Sequence, residues 1–219
     1  MRFYSTTGDG PGFLDIGLSH NPFNALVVPR PIGWISSVSA SGQANLAPYS
    51  FFNTVSGRPP MVMFSSAERG TGGATEKDSL RNIRETKQFV VNLATAGQQA
   101  EMNDSSAAAP PEIDEFDAVG LEKLAGRTVK VPRVKGAPVH LECELDRFVD
   151  LSNGGSRSGS VMTIGRVTGV HIDESVIDGD RVDIVRAAPI ARLGYFDYCR
   201  VDATFVIAQP KWPLTGRTE

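Results

Sequence analysis

The chain has 219 residues, of which 41% are hydrophobic and 21% are charged, and its formal net charge is −3. This composition is typical of an ordinary globular protein and excludes a disordered or fibrous chain. Because 22 Lys and Arg are balanced by 25 Asp and Glu, we expect no broad positive surface for a nucleic acid. No apolar run approaches the roughly 20 residues that cross a bilayer, and the N-terminus lacks a secretory signal pattern. We therefore expect a cytoplasmic protein without a membrane segment.

Cysteine and histidine are sparse. Cys143 and Cys199 are the only cysteines, and two small buried side chains are favoured over a redox pair. His20, His140 and His171 are scattered and form no ligand motif, so we expect no metal site built by the protein.

Strand patterns dominate the first half of the chain. Val27–Val38 and Gln43–Tyr49 flank the turn residues Ser39–Gly42, which predicts a hairpin. Met61–Ser66 and Gln88–Leu93 are short apolar runs, which predict buried strands at the centre of a sheet.

Longer strands are predicted in the second half. Val139–Asp146 alternates apolar and polar residues, which predicts one face on a core and the other face, with His140, in water. Ser160–Ile172 has the pattern of a long strand bent by glycines, and Tyr198–Ile207 has that of a last strand.

Three short helices are predicted from capping patterns and apolar spacing. They span Asp78–Thr86, with a capping box begun by Thr75, the segment from Thr95 to Met102, and Asp114–Val119. Since there is no repeat and no linker, we expect a single domain over 1–219, with a core at about 20–200 and a tail at 201–219. Many short strands with few helices favour a mainly β fold, a β-barrel with short helices.

Three segments combine hydroxyls, amides and prolines with apolar strands: Pro29–Ser37, Asn45–Asn53 and Lys77–Ile83. Hydroxyls and a lysine at a helix N-terminus suit a phosphate, although helix capping with a solvated lysine explains the same residues. The second segment suits the flat face of a planar heterocycle, although its phenylalanines also suit a core.

The order and spacing of several segments resemble the flavin reductase-like family, over roughly residues 20 to 200. No single segment is specific, but their combination is. The segments are Pro29–Asn53, Arg58–Ser66, Lys77–Leu93, Glu115–Leu121, Gly165–Asp173 and Ala191–Val201.

The resemblance implies a six-stranded antiparallel split β-barrel that binds FMN and forms a homodimer, with one FMN per subunit at or near the interface. It implies an oxidoreductase that takes a hydride from NADH or NADPH and passes electrons to free flavin, a partner monooxygenase or another acceptor. The alternatives are a non-catalytic FMN carrier or electron-transfer protein, and an interaction module without a ligand. No catalytic side chain is implied, because the flavin supplies the reactivity.

The resemblance also implies a set of cofactor-binding residues. Ser36 and Ser37 would face the ribityl-phosphate part, and Asn45, Leu46 and Ala47 would present backbone and amide groups to the ring edge. Ser50, Lys77, Asp78 and Ser79 would approach the phosphate or organise the loop that does.

Four features keep two interpretations each. Trp34 either lies near the ring or plugs the barrel, and Arg30 either neutralises a phosphate or pairs with a surface carboxylate. His171 either lies on the nicotinamide side or is an ordinary sheet histidine. The tail Gln209–Leu214 either packs on a dimer partner or covers the pocket.

Overall fold

The computed structural model describes residues 1–67, 76–151 and 159–212. The helices are α1 Phe23–Leu26, α2 Asp78–Thr86, α3 Gln99–Asp104, α4 Glu115–Ala118 and α5 Ile184–Ala187. The strands are β1 Arg30–Pro31, β2 Gly33–Val38, β3 Ala44–Tyr49, β4 Phe52–Gly57, β5 Pro60–Ala67, β6 Gln88–Leu93, β7 Lys123–Leu124, β8 Arg133–Val134, β9 Val139–Asp150, β10 Ser160–Ile172, β11 Ile177–Asp178, β12 Arg181–Val182, β13 Ile190–Arg192 and β14 Tyr198–Arg200. Within the described ranges, none of the helices has the length and apolar character needed to cross a bilayer.

Seven strands form one antiparallel sheet in the order β3-β2-β6-β9-β10-β5-β4. Its two edge strands, β3 and β4, follow each other in the chain with only Ser50 and Phe51 between them. The sheet therefore curls until its edges approach, and the Ser65 N–H donates to the Phe51 carbonyl at 2.8 Å beside this junction. We call Tyr49–Phe52 the barrel corner. A second, small sheet has the order β1-β13-β14.

The predicted mainly β barrel is confirmed, and the hairpin of β2 and β3 forms as expected. The sheet has seven strands and not six because Phe52–Gly57 pairs with β5. This strand is largely exposed and mostly polar, so it carries no hydrophobic pattern that the sequence analysis could use.

The buried side chains form two main clusters. One contains Trp34 and Phe116, and the other contains Phe64 and Phe89, whose rings meet edge to face at 5.6 Å between centroids. Gly165 lies against the Phe89 ring, and a Cβ at this position would come within 2.3 Å of it. The register of β9 and β10 shifts at Gly165, so the predicted glycine bend is confirmed.

Helix α2 has the predicted bounds. Its apolar face is buried through Leu80 and Ile83, and Lys87 ends it in a left-handed conformation with φ 62°. Thr75, the expected cap, lies outside the described residues. The helix from Thr95 forms as a 3₁₀ turn followed by α3, without the expected side-chain cap.

The prediction that the polar face of β9 meets water holds for Glu144 and Asp146 and is wrong for His140 and Glu142. His140 is 4% exposed and Glu142 is fully buried, because residues 127–131 cover this face. The Glu142 carboxylate accepts hydrogen bonds from the Arg127 N–H at 2.8 Å and from the Thr128 Oγ1 at 2.6 Å. A buried carboxylate that accepts several hydrogen bonds gives the same alternating apolar and polar sequence pattern as an exposed carboxylate. The pattern alone therefore does not distinguish the two.

Two histidines extend this network. His171 Nε2 lies 2.5 Å from a Glu142 carboxylate oxygen, and His140 Nδ1 lies 2.8 Å from Asn92 Oδ1. Burial, together with the nearby charges of Arg133 and His171, lowers the pKa of His140 to about 4. His171 therefore has the place of a sheet histidine in a polar network.

Both cysteines are free. Burial raises the pKa of the Cys143 thiol, which keeps it protonated and unreactive. Cys199 is half-buried in β14. No group of three potential metal ligands occurs in the described part of the chain.

The last predicted strand is too long. β14 ends at Arg200, and residues 201–212 have no regular structure. Phe205 and Val206 are 84% and 94% exposed, and none of the described strands pairs with this segment. A strand pattern without a pairing partner does not form a strand.

Candidate functional site

Two depressions are lined by neighbouring residues of the barrel corner: Tyr49 lines one, and Ser50 lines the other. The first, which we call the polar niche, has a volume of ≈ 80 Å³ and is lined by Asn45, Ala47, Lys77, Asp78, Ser79 and Glu115 among others. The second, which we call the apolar cleft, has a volume of ≈ 610 Å³ and is lined by Pro29, Arg30, Pro31, Ser50, Phe51 and Met63 among others.

The N-terminus of α2 opens into the polar niche. The first intrahelical hydrogen bond runs from the Arg81 N–H to the Lys77 carbonyl at 3.1 Å, so the N–H groups of Asp78 and Ser79 have no acceptor within the helix. Lys77, the N-cap residue, makes no side-chain cap hydrogen bond within the described part of the chain. Asn45 Nδ2 donates to Ser79 Oγ at 3.0 Å, which fixes the serine hydroxyl at the wall of the niche.

Two carboxylates also line the polar niche. Asp78 forms an ion pair with Arg81 at 2.6 Å. Glu115 accepts a hydrogen bond from the Leu46 N–H at 3.1 Å. Burial raises the pKa of Glu115, and the charge of Asp78 adds to that direction. The niche therefore holds donors for an anion beside one acid that is more easily protonated than usual.

The tyrosine between the two depressions is held inside the protein. Tyr49 is 7% exposed and its ring packs on Phe64 at 4.7 Å between centroids. Burial raises the pKa of Tyr49 to about 12, so it stays a neutral wall residue at physiological pH.

The apolar cleft has walls of proline, aromatic and aliphatic side chains, with a few polar groups. Ser50 and Asn53 supply short polar groups along one side. Arg30 is nearly buried, and its guanidinium lies 5.8 Å from the centroid of the Phe51 ring. A concave, mostly apolar cavity with a few polar groups is the ordinary form of a small-molecule site.

The structure brings together six of the residues that the resemblance singles out. Asn45, Ala47, Lys77, Asp78 and Ser79 line the polar niche, and Ser50 lines the apolar cleft.

The remaining four are buried within the chain. Trp34 Nε1 donates to Ser105 Oγ at 2.9 Å inside the core, which is the position of a barrel plug. Ser36 Oγ donates to the Pro132 carbonyl at 2.6 Å, and Ser37 Oγ accepts from Asn82. Leu46 contributes its backbone N–H to Glu115.

Some residues of the two depressions were not singled out from the sequence. Ser105–Ala108 close one side of the polar niche, and Glu115 lies at its wall.

Arg30 pairs with no carboxylate among the described residues, contrary to the interpretation as a surface ion pair. It donates instead to the carbonyls of Asn24 and Val27.

The order of the strands shows the class of fold, which is a split barrel. The candidate site lies at the corner between the two edge strands. The flavin reductase like domain matches residues 25–196. The chain belongs to the flavin reductase-like family, and the resemblance seen in the sequence is confirmed.

Solved structures agree with this assignment. Component B of nitrilotriacetate monooxygenase from Bacillus cereus is 30% identical, with a TM-score of 0.79 over 87% of this chain and 98% of that one. The 2-nitrobenzoate 2-nitroreductase NbaA of Pseudomonas fluorescens is 31% identical, with a TM-score of 0.75 over 87% of this chain and 89% of that one. An uncharacterized protein of Aquifex aeolicus is 38% identical over 170 residues, which are 77% of this chain and 83% of that protein.

Proposed function

We propose that this protein binds FMN at the barrel corner and is an NAD(P)H-dependent oxidoreductase of the flavin reductase type. The observation that carries the proposal is that the depression at the N-terminus of α2 and the apolar cleft are lined by the adjacent residues Tyr49 and Ser50. Electrons would pass to free flavin, a partner oxygenase or another acceptor. The family assignment supports the redox class, and the similarity to a monooxygenase component supports an oxygenase partner.

The polar niche fits a phosphate group. Lys77, the Ser79 hydroxyl and the first N–H groups of α2 form a donor set of the kind that binds phosphate, and the helix dipole favours negative charge at this end. Arg81 already compensates Asp78. Because the pKa of Glu115 is raised, its carboxylate is protonated, and stops opposing a phosphate, at a higher pH than an ordinary glutamate.

The apolar cleft fits a planar ring. Its volume of ≈ 610 Å³ lies within the range of ligand pockets, and proline and aromatic side chains form its walls. Ser50, which belongs to the barrel corner, lines this cleft. A ring here would lie next to a phosphate held by α2, because the two depressions share the corner.

Bound FMN would supply the acceptance of a hydride and the onward transfer of electrons. The chain's own residues bind and orient it. Lys77 and Ser79 hold the phosphate end, the barrel corner sets the position of the ring, and Phe51 and Met63 exclude water from its surroundings. No side chain is required as an acid or base for this chemistry.

We further propose that the protein functions as a homodimer. Phe205, Val206, Ile207 and Trp212 are at least 79% exposed and fall within residues 205–212, the last part of the described chain. Apolar side chains in this number are seldom left in water, and a second copy would cover them. The cytoplasmic location stays a prediction.

Absorbance spectra of the purified protein test the proposal. Titration with FMN should yield a bound flavin band, and anaerobic mixing with NADH or NADPH should bleach that band at a saturable rate. Protein that binds FMN but is bleached only by an external electron donor is a carrier. Protein that takes up no FMN contradicts the proposal and favours an interaction module.

Glu115→Gln should tighten FMN binding by about threefold to tenfold, because it removes a negative charge worth roughly 1 kcal/mol from the phosphate site. Glutamine retains an oxygen for the Leu46 N–H. The gain should be largest above the raised pKa of Glu115, where the wild-type carboxylate is charged, and should vanish as the pH falls through that pKa.

The measurement is fluorescence titration with FMN across this pH range, and riboflavin is the control ligand because it has no phosphate. An equal gain for riboflavin would place the effect of Glu115 at the ring and not at the phosphate.

A further inference from the structure

The apolar cleft contains a buried cation without a partner carboxylate. Arg30 is 9% exposed, and its Nε has no hydrogen-bond partner among the described residues. Its Nη1 donates to the carbonyls of Asn24 and Val27, which fix the guanidinium without neutralising it. A buried charge of this kind is costly unless it is compensated.

A second arginine faces the first. Arg30 in β1 is paired directly with Arg192 in β13, and Arg192 also has no ion pair within the described ranges. Like charges at opposite positions of an antiparallel pair repel each other. Burial lowers the pKa of Arg30, and the charge of Arg192 lowers it further. The pair forms a local positive field at one end of the cleft in a chain of net negative charge.

The surroundings of Arg30 are planar and apolar. Phe51 is 43% exposed, and the guanidinium carbon lies 5.8 Å from the centroid of its ring. Pro29 and Pro31 flank Arg30 and line the same cleft. A flat apolar body therefore finds contact surface within reach of the cation, and a guanidinium is a strong charge-assisted donor to a carboxylate.

We propose that the end of the apolar cleft at Arg30 binds small aromatic carboxylates, with the carboxylate on Arg30 and the ring against Phe51. This inference rests on the proposed function, because it places the aromatic carboxylate beside a flavin ring bound in the same cleft. It assigns the phosphate of FMN to α2 and the free anion to Arg30. The cleft would thereby select its small-molecule ligands by charge as well as by shape.

Calorimetric titration with benzoate tests the proposal, on FMN-loaded protein and on protein without FMN. Benzamide, which has the same shape and no charge, should bind at least tenfold more weakly, since the charged hydrogen bond is lost. Cyclohexanecarboxylate should also bind more weakly because it is not planar. Inorganic phosphate at the same concentration should not displace benzoate.

Arg30→Gln should weaken benzoate binding by at least tenfold and should change the affinities for FMN and riboflavin by the same factor, whereas Arg30→Lys should retain part of the benzoate binding. Arg147→Gln is the matched control, because Arg147 is exposed and pairs with Asp146 on the surface. The wild-type comparison of benzoate with benzamide does not depend on the folding of any variant.

Equal binding of benzoate and benzamide, or no binding of benzoate, would overturn the proposal. So would a loss of FMN affinity in Arg30→Gln that riboflavin does not show, because Arg30 would then hold the flavin phosphate. Displacement of benzoate by phosphate would overturn the aromatic specificity. If the protein binds benzoate through Arg30 but takes up no FMN, the proposed function fails and the carboxylate site stands.

Discussion

Replacing Lys77 and Ser79 together by alanine should weaken FMN binding by about 2–4 kcal/mol, an increase in Kd on the order of 30- to 700-fold. The double variant removes a positive charge and a hydroxyl from the polar niche. Asn45 also loses its acceptor on Ser79, so the niche becomes less ordered. Fluorescence titration with FMN measures the effect.

The controls separate the phosphate from the ring. Riboflavin lacks the phosphate, so its affinity should be the same for the double variant and the wild type. Lys135→Ala removes an exposed lysine that pairs with Glu122 far from α2 in the sequence, and it should leave FMN binding unchanged. An unchanged FMN affinity in the double variant would reject the assignment of the phosphate to α2.

Glu142→Ala should lower the free energy of unfolding by about 3–5 kcal/mol. The carboxylate is fully buried and accepts hydrogen bonds from the backbone of Arg127, Thr128 and Val129 and from His171. Alanine would leave these donors unpaired in the interior and detach residues 127–131 from β9. Urea denaturation monitored by circular dichroism gives the value.

The same strand supplies the control. Glu144 lies two residues further along β9 and is exposed, so Glu144→Ala should change the stability by no more than about 0.5 kcal/mol. Comparable losses in both variants would show that the network around Glu142 contributes nothing specific.

Acid should destabilise the protein in two stages. Burial alone would raise the pKa of Glu142, but the hydrogen bonds from Thr128, Arg127 and His171 lower it to about 2. Its contribution is therefore present above about pH 4.5 and is lost as the pH falls towards 2. His140, with a pKa lowered to about 4, resists protonation in the fold, so the unfolded state gains protons first between about pH 6.5 and 4.

Stability should thus decrease from about pH 6.5 downwards, with each group accounting for on the order of 3 kcal/mol. Urea midpoints at successive pH values measure this dependence. In His140→Asn the loss between pH 6.5 and 4 should shrink, while the loss below pH 4.5 should remain. A profile that stays flat from pH 7 to 4 would contradict the assignment to His140.

Local patterns were sufficient for much of the fold. Helix α2 was predicted with its bounds because the spacing of Leu80 and Ile83 and the left-handed end at Lys87 are local properties. The hairpin of β2 and β3 was predicted because Ser39–Gly42 is a turn sequence. The order of strands in the sheet depends on pairing between distant segments, so the sequence segments implied it only through their resemblance to a family.

The errors have a common physical origin in contacts between distant residues. The burial of Glu142 depends on backbone donors in residues 127–131, and nothing in the alternation of β9 indicates this cover. The niche wall at Ser105–Ala108 is held through the hydrogen bond from Trp34 to Ser105, which joins residues 71 positions apart. Residues 201–207 have strand-like composition, but pairing depends on a neighbouring strand, and none of the strands in the described ranges lies beside them.

The candidate site was predicted in the same uneven way. Lys77–Ser79 carry a local signal, since hydroxyls and a lysine precede a helix. Arg30 carries no local signal. The charges that surround it are set by the folded sheet, in which it pairs with Arg192.

The exposed end of the chain has a practical consequence for work with the purified protein. Phe205, Val206 and Ile207 are consecutive and at least 79% exposed. If a second copy covers these side chains at high protein concentration, dilution exposes them to water. The protein then adsorbs to vessel walls and to denatured protein. Assays at low protein concentration should therefore lose protein to surfaces. A chain shortened after Arg200 should not show that loss, and it should self-associate more weakly.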